Sequence, residues 1–246
     1  AIGKEALESS VQGNGSVAVG YRALHTSTES NYQVAIGYEA LESATDGATE
    51  NVAVGYRVGH NMTTGDGNTA VGYQAMYSIT EASRNTALGN DALYTVTDAG
   101  HDNVAIGFEA LRANTGGDKN AALGTYALYS NTTGSNNTAV GYDALGDVTS
   151  GSGNIAIGYE ALKSNTTGSD NVSVGLESLE NNTDGVQNVA VGYRALRANT
   201  TADHNVAVGD NALLAQTTGN NNAAVGRNAL YTSTTGNHNT AIGGSA

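Results

Sequence analysis

The chain has 246 residues, including 33 glycines and a single phenylalanine, and it lacks proline, cysteine and tryptophan. Its net charge is −13, and its 10 basic residues are scattered, which argues against a nucleic-acid surface and against an anionic membrane surface. No apolar run approaches the roughly 20 residues that span a bilayer. This composition favours a thin core of small aliphatic residues over a large aromatic core.

A glycine recurs along the whole chain at a nearly constant spacing. Successive copies lie 17 positions apart, except for a spacing of 18 between Gly37 and Gly55 and between Gly89 and Gly107. A fixed short period is typical of a solenoid. The chain begins and ends within a repeat and shows no capping segment, so we expect a single repeat domain, residues 1–246, that is a fragment of a longer fibre.

Each turn starts with a short β-branched segment that ends at the repeat glycine. The residue before the glycine is always Val, Ile or Leu, and the residue before that is Ala except at Ser173. This pattern predicts a strand of about four residues closed by a bend. We expect the aliphatic side chain to point into the coil, and the small alanine to face the opposite wall or another chain.

Stacking of the turns predicts columns of equivalent residues. The residue four before the glycine is Asn from Asn51 onward, and we expect its side chain to bond to the next asparagine or to loop backbone. The residues assigned to these structural ladders are, in the aliphatic column, Val54, Val71, Ile106, Ile157 and Val191, and, in the asparagine column, Asn51, Asn68, Asn103, Asn154 and Asn188. A threonine column, eight residues after the glycine, is expected to have a similar turn-forming role.

The second half of each turn holds a short apolar segment and a loop. Ala usually lies three residues after the glycine and Leu four after it, and sequences such as N-T-T-G at 131–134 predict a loop. The extra residue of the longer turns falls at 46–50 and 98–102, which preserves the strand register. A short helix is the alternative, but about six residues are too few for a stable one. We therefore expect an all-β, parallel β-solenoid of about fourteen turns.

About one large apolar side chain per turn lies either just after the glycine or five residues after it. Tyr159 precedes Lys163 in one turn, whereas Asn90 precedes Tyr94 in another. We infer that the two positions flank one strip that packs against another chain; a carbohydrate-stacking ladder is the alternative. This aromatic strip consists of Tyr21, Tyr38, Tyr56, Tyr73, Tyr94, Phe108, Tyr129, Tyr142, Tyr159, Tyr193 and Tyr231.

The repeat resembles the YadA-like head repeat of trimeric autotransporter adhesins. The segment S-V-A-V-G-Y-R-A at 16–23 matches the family pattern S-V-A-I-G-x-x-A, although the period here is longer and Asn replaces the usual Ser. The N-T-T-G loops are also similar to repeats of phage tail-fibre proteins. The resemblance implies a left-handed β-roll in a side-by-side homotrimer, exposed on a cell surface or virion, that binds a host-surface protein or glycan.

No residue pattern indicates catalysis or a metal site. His204 and His238 occupy equivalent loop positions two turns apart, roughly 10 Å, which is too far for a shared zinc ion. We expect a non-enzymatic, extracellular attachment segment without a cofactor, with Ca²⁺ in the acidic loops left open, and without nucleic-acid binding or membrane insertion. Glycosylation sequons, relevant only in a eukaryotic secretory route, occur at Asn131, Asn165, Asn171 and Asn199.

An ice-binding or glycan-binding monomeric solenoid is the alternative function, because stacked threonines can form a flat face. The threonine pairs here are adjacent, as in Thr166 and Thr167, whereas a strand presents alternate residues on one face. The second position of the pair also varies, to Glu29, Asp46, Glu81 and Asp98. Both features disfavour ice binding.

Overall fold

A computed structural model describes residues 1–29, 31–97 and 99–246. Within these residues the chain is all-β, with fourteen strands of three residues each, about 13 solenoid turns and no helix; accordingly, none of them forms a helix that could cross a membrane. The parallel β-solenoid predicted from the sequence is confirmed, with slightly fewer turns and shorter strands than expected. Asp98, one of the acidic positions considered above, lies outside the described residues.

The chain divides into two compact units, Ala1–Ala122 and Leu123–Ala246. In the first unit the strands pair in sequence order, each parallel to its neighbours. Val34 is aligned with Val52 across one of the longer turns, so the inserted residue leaves the register intact as predicted. The strands are β1 (Val17–Val19), β2 (Val34–Ile36), β3 (Val52–Val54), β4 (Thr69–Val71), β5 (Thr86–Leu88) and β6 (Val104–Ile106).

The second unit repeats this arrangement with every paired residue 17 positions apart. Its equivalent aliphatic residues Ile157, Val174 and Val191 are therefore aligned in one column. The strands are β8 (Thr138–Val140), β9 (Ile155–Ile157), β10 (Val172–Val174), β11 (Val189–Val191), β12 (Val206–Val208), β13 (Ala223–Val225) and β14 (Thr240–Ile242). The strand β7 (Ala121–Leu123) includes the sequence boundary between the units.

Each turn bends at the repeat glycine and at two left-handed positions after it. Gly158 has a φ of +142°, and a Cβ there would press against the carbonyl oxygen of the next repeat glycine, so only glycine fits. Glu160 and Leu162 have φ angles of 51° and 54°, a region that bulky residues seldom adopt. Their amides donate to the carbonyls of Tyr142 and Ser178, each at 2.9 Å, so hydrogen bonds to both adjacent turns hold the bend.

Small alanines line the interior on both sides of this bend. Ala156, Ala161 and Leu162 are completely buried. One turn later, Ser173 and Ser178 replace the two alanines, and their hydroxyl oxygens are 2.5 Å apart. The two alanine columns therefore face each other across the bend, which explains their small size. Of the two expectations for the alanine column, the opposite wall is correct.

The prediction that the aliphatic column points into the coil is wrong. Neighbouring residues of a strand face opposite sides, and because the alanine takes the interior, the residue before each glycine faces outward. Ile106, Ile157 and Val191 are 37%, 41% and 36% exposed, and Val54 and Val71 are half-buried. Val54, Val71 and Ile106 therefore lie on the outer face of the sheet in the first unit, and Ile157 and Val191 lie on the outer face in the second.

The asparagine column is buried and hydrogen-bonded between turns, as predicted. Asn68 Nδ2 donates to Asn51 Oδ1 at 3.2 Å and to the Ala82 carbonyl at 3.0 Å, and Asn188 Nδ2 donates to Asn171 Oδ1 at 3.2 Å. Each side chain thus uses both expected partners, the adjacent asparagine and a loop carbonyl. The assigned residues Asn51, Asn68, Asn103, Asn154 and Asn188 are all buried.

Candidate interaction face

The outer face of the sheet is apolar in both units. It is formed by the aliphatic column and by the first residue of each strand, and all of these residues are Val, Ile, Leu, Ala or Thr. Val17, Ile36 and Leu88 are exposed in the first unit, as are Ile155 and Val206 in the second. The first strand residue was not among the candidate sites. The sequence did contain a signal for this arrangement. In one turn both alanines change together, to Ser173 and Ser178, which indicates that the two alanine positions face each other inside the coil. The strand residues on either side of the first alanine must then face outward.

Part of the aromatic strip forms a stacked column beside this face, directly after the repeat glycine. The rings of Tyr38, Tyr56 and Tyr73 stack with centroids 5.3 and 5.2 Å apart, and Tyr142 and Tyr159 stack at 5.3 Å. Each exposed ring keeps about two fifths of its surface in contact with solvent. The strip residues at this position are Tyr21, Tyr38, Tyr56, Tyr73, Phe108, Tyr142, Tyr159 and Tyr193.

The remaining strip residues, Tyr94, Tyr129 and Tyr231, lie in a second column, five residues after the glycine. Tyr94 stacks there on Tyr77, with centroids 5.3 Å apart. A polar, mostly charged column, two residues after the glycine, contacts both aromatic positions. Its residue Tyr126, for example, makes edge contacts with Tyr129 and, one turn later, with Tyr142 at 5.7 and 5.9 Å. The two aromatic positions therefore flank a column of mainly charged side chains.

Several charges of this column are paired within the chain. Arg194 Nε donates to Glu177 Oε2 at 2.7 Å, and this hydrogen bond lowers the pKa of the Glu177 carboxyl. The Arg194 guanidinium also lies 4.8 Å from the centre of the Tyr193 ring, a favourable cation–π distance. Because these charges are paired within the chain, the charged column has little need of a partner. The apolar sheet face is the surface that can still pack against another chain.

The stacking weakens the carbohydrate-ladder alternative. A sugar ring packs on the open face of an aromatic ring, whereas the ring of Tyr56 has neighbouring rings on both sides, with interplanar angles of 12° and 7°. The stacked part of the column therefore presents ring edges rather than faces. A sugar would have to separate the rings before it could stack on them.

The threonine column has a structural role, as predicted. Thr149 Oγ1 donates to the Thr166 carbonyl at 3.1 Å, and Thr166 Oγ1 donates to the Thr183 carbonyl at 3.2 Å. In the adjacent column, Asp184 Oδ1 accepts from Thr167 Oγ1 at 2.6 Å. These hydroxyls are used by the fold, and carboxylates interrupt the second column, which weakens the ice-binding alternative further.

The four glycosylation sequons noted in the sequence are buried. Asn131, Asn165, Asn171 and Asn199 have no exposed surface, and each side chain takes part in the buried hydrogen bonding of the solenoid. A glycan is bulky and needs a surface position. The folded chain therefore offers no acceptor at these residues.

Comparisons of the chain with protein-family models, with curated proteins and with solved structures each found no match. The functional interpretation consequently depends on the geometry of the chain itself and on the repeat pattern.

Proposed function

We propose that this chain is a non-enzymatic structural and attachment segment of a trimeric surface fibre, either a cell-surface adhesin or a phage tail fibre. The observation that carries the proposal is the outward apolar sheet face, with exposed Ile155, Ile157 and Val206 and the adjacent aromatic column. Repeated apolar exposure of this kind marks an interaction surface. Covering it removes apolar area from water, which favours assembly.

The partner that fits this face best is another copy of the chain. The apolar residues recur once in every turn, and a parallel second copy presents the same residues at the same spacing. A net charge of −13 per chain makes copies repel each other, so close packing is favoured at a face without charges. Three copies around one axis close the arrangement without leaving a free face, and the resemblance to trimeric adhesin heads supports this number.

Attachment is the second part of the proposal, and the repeat resemblance supports it. In a trimer the loops that contain Thr132 and Thr167 would remain on the outside, where a host-surface protein or glycan could bind. The test is binding of labelled trimer to glycan arrays and intact cells, with a loop variant as competitor. Absence of binding would contradict attachment by this segment and leave the structural role intact.

The structural role is tested by molar mass in solution, measured by light scattering after size exclusion. The chain mass is 24.8 kDa, and we expect three times this mass. Ile157→Asp places a charge on the apolar face and is expected to give a folded monomer, because Ile157 faces outward. Thr218→Asp is the matched control, since Asp184 already occupies the equivalent loop position and the adjacent turns have the uncharged Thr201 and Thr235 there, and it is expected to stay trimeric.

A stable wild-type monomer at micromolar concentration would overturn the trimer proposal. It would favour the monomeric ice-binding or glycan-binding alternative, for which thermal hysteresis is the next measurement. An Ile157→Asp variant that keeps the wild-type mass would show that the apolar face is not the contact between copies.

A further inference from the structure

Three potential metal ligands converge in the first unit, in the columns two and five residues after the glycine. His60 Nε2 lies 2.7 Å from Glu42 Oε2 and 3.4 Å from Glu39 Oε2. The side chains of Glu39, Glu42 and His60 are 7%, 14% and 18% exposed. This is a largely buried group of one imidazole and two carboxylates.

The second nitrogen of His60 shows which form the ring takes. His60 Nδ1 lies 2.8 Å from Asn61 Oδ1, and because an amide oxygen can only accept, Nδ1 carries the hydrogen. In a neutral ring, Nε2 then has a lone pair that points at two carboxylate oxygens. The 2.7 Å contact between Nε2 and Glu42 Oε2 then requires a cation between these two atoms, either a proton on Nε2 or a metal ion.

At the equivalent position in the second unit, an arginine side chain supplies the positive charge. Glu177 and Glu180 correspond to Glu39 and Glu42, and Arg197 corresponds to His60, each at the same offset from its glycine. Arg197 Nε lies 3.1 Å from Glu177 Oε2 and 2.5 Å from Glu180 Oε2. The solenoid therefore places a permanent positive charge here in one turn and a histidine in another.

We propose that Glu39, Glu42 and His60 bind a divalent transition-metal ion of the Zn²⁺ type. Zinc takes one imidazole nitrogen and two carboxylate oxygens at about 2.0–2.2 Å and keeps a fourth position for water. The ligand atoms already lie within 4.8 Å of one another, so small side-chain movements suffice. The Asn61 contact matches the outer hydrogen bond that orients metal-binding histidines, and the imidazole disfavours Ca²⁺ and Mg²⁺, which prefer oxygen.

Two arginines touch the same carboxylates and limit the affinity. Arg57 Nε donates to Glu39 Oε2 at 2.7 Å, and Arg22 Nη1 donates to Glu42 Oε1 at 3.3 Å. Burial raises the pKa of the Glu39 carboxyl, but the hydrogen bonds from Arg57 and Tyr38 outweigh it and leave the pKa below its usual range. The Glu39 carboxylate is thus ionised at neutral pH, and the neighbouring cations make the site weaker than a structural zinc site.

A second group with the same positions in the repeat is formed by Glu5, Glu8 and His25. Here Glu8 is 56% exposed and lies 3.4 Å from His25 Nδ1, so we expect weaker binding than at His60. Replacing His25 by arginine removes this second group from the measurement.

The experiment is calorimetric titration of the full chain with Zn²⁺ at neutral pH, in a His25→Arg background. We expect one Zn²⁺ per chain. His60→Arg reproduces the Arg197 arrangement and should weaken binding by about tenfold or more, with an unchanged circular dichroism spectrum. The reciprocal double variant Arg197→His with Ala198→Asn rebuilds the site in the second unit and should raise the stoichiometry to two.

Two results would overturn the metal site. The first is no heat of Zn²⁺ binding by the background protein at micromolar concentration, which would assign the cation to a proton on His60. The second is equal binding before and after His60→Arg. Should His60→Arg fail to fold, the reciprocal double variant decides instead, since the absence of an added Zn²⁺ there contradicts the proposed ligand set.

Discussion

One corner of the solenoid, seven residues after the repeat glycine, is filled mainly by apolar side chains in the first unit and mainly by amides in the second, with exceptions such as Asn114 and Val148. Seven residues after the glycine, the first unit has the fully buried apolar side chains of Ala44, Met62, Ile79 and Val96. At this corner position the second unit has the fully buried amides of Asn131, Asn165, Asn182 and Asn199. Packing stabilises the corner at the apolar positions, and hydrogen bonds stabilise it at the amides.

The amide corner is bonded most completely at Asn182, which has partners above, below and within its own turn. Asn182 Nδ2 donates to Asn165 Oδ1 at 2.8 Å and to the Gly185 carbonyl at 3.0 Å, and its Oδ1 accepts from Asn199 Nδ2 at 2.7 Å. A buried amide without such partners is costly. The comparison teaches that the neighbouring turns decide which residue type is stabilising at the corner.

Both units share the glycine bend, so substitutions there should not distinguish them. Gly72 and Gly158 have φ angles of +146° and +142°, and an added Cβ would meet a backbone carbonyl in each case. We expect Gly72→Ala and Gly158→Ala each to destabilise the chain by about 5 kcal/mol or more, as measured by urea denaturation. Unequal losses would mean that the units differ beyond the corner.

Ile79→Asn should break the apolar corner. The change removes a buried aliphatic side chain and places an amide between Met62 and Val96, so the amide lacks the partners above and below that Asn182 has. We expect a loss of about 4 kcal/mol, measured as a shift in the denaturation midpoint. Ile79→Val is the control, with an expected loss of about 1 kcal/mol. A similar loss for both variants would contradict the role of the unpaired amide.

Asn182→Ala should break the amide corner at its centre. It removes the acceptor of Asn199 Nδ2 and the donor to Asn165 Oδ1, and we expect a loss of about 2 kcal/mol. Because solenoids can open locally, hydrogen exchange of peptides from the adjacent turns is the appropriate measurement. The exposed neighbour Asn181 provides the control, and Asn181→Ala should leave the exchange rates unchanged.

Val148→Asn has the smallest expected effect, and it tests directly whether neighbouring amides make an asparagine tolerable at the corner. Val148 is a buried apolar residue of the second unit, in the corner column between Asn131 and Asn165. An asparagine here would continue the chain of amides, so we expect a stability within about 1 kcal/mol of wild type. A loss as large as that of Ile79→Asn would show that neighbouring amides do not determine the tolerance of the corner.

Much of the fold could be predicted because identical residues recur at fixed spacing. The spacing of the repeat glycines predicted the positions of all fourteen strands. The unbroken series of asparagines four residues before the glycine predicted the buried asparagine column. The spacing did not reveal whether the aliphatic side chain before the glycine points into or out of the coil. It was predicted to point inward because large apolar residues usually fill the core. In most turns the bend leaves room only for small residues facing each other, as Ala156 faces Ala161 and Ser173 faces Ser178, and this constraint depends on the narrow path of the backbone.

The candidate sites were less predictable than the fold. Periodicity located Tyr56 and Tyr94, but the ring stacking and the intervening charged column depend on side-chain directions at left-handed positions such as Arg57. The group around His60 was missed because its members come from two successive turns and only come together once the turns stack. The recurrence of Glu39 and Glu42 as Glu177 and Glu180, with a basic residue following in each case, was the available signal.

The buried asparagine ladders restrict where the protein can be produced. Secretory cells of eukaryotes attach glycans to N-T-T and N-V-S sequences while the chain is still unfolded, and Asn131, Asn165, Asn171 and Asn199 carry such sequences. A sugar on any of them has no space in the folded solenoid. Expression in yeast or animal secretory hosts would therefore trap misfolded chains, whereas a bacterial host without this modification leaves the amides free to form their ladders.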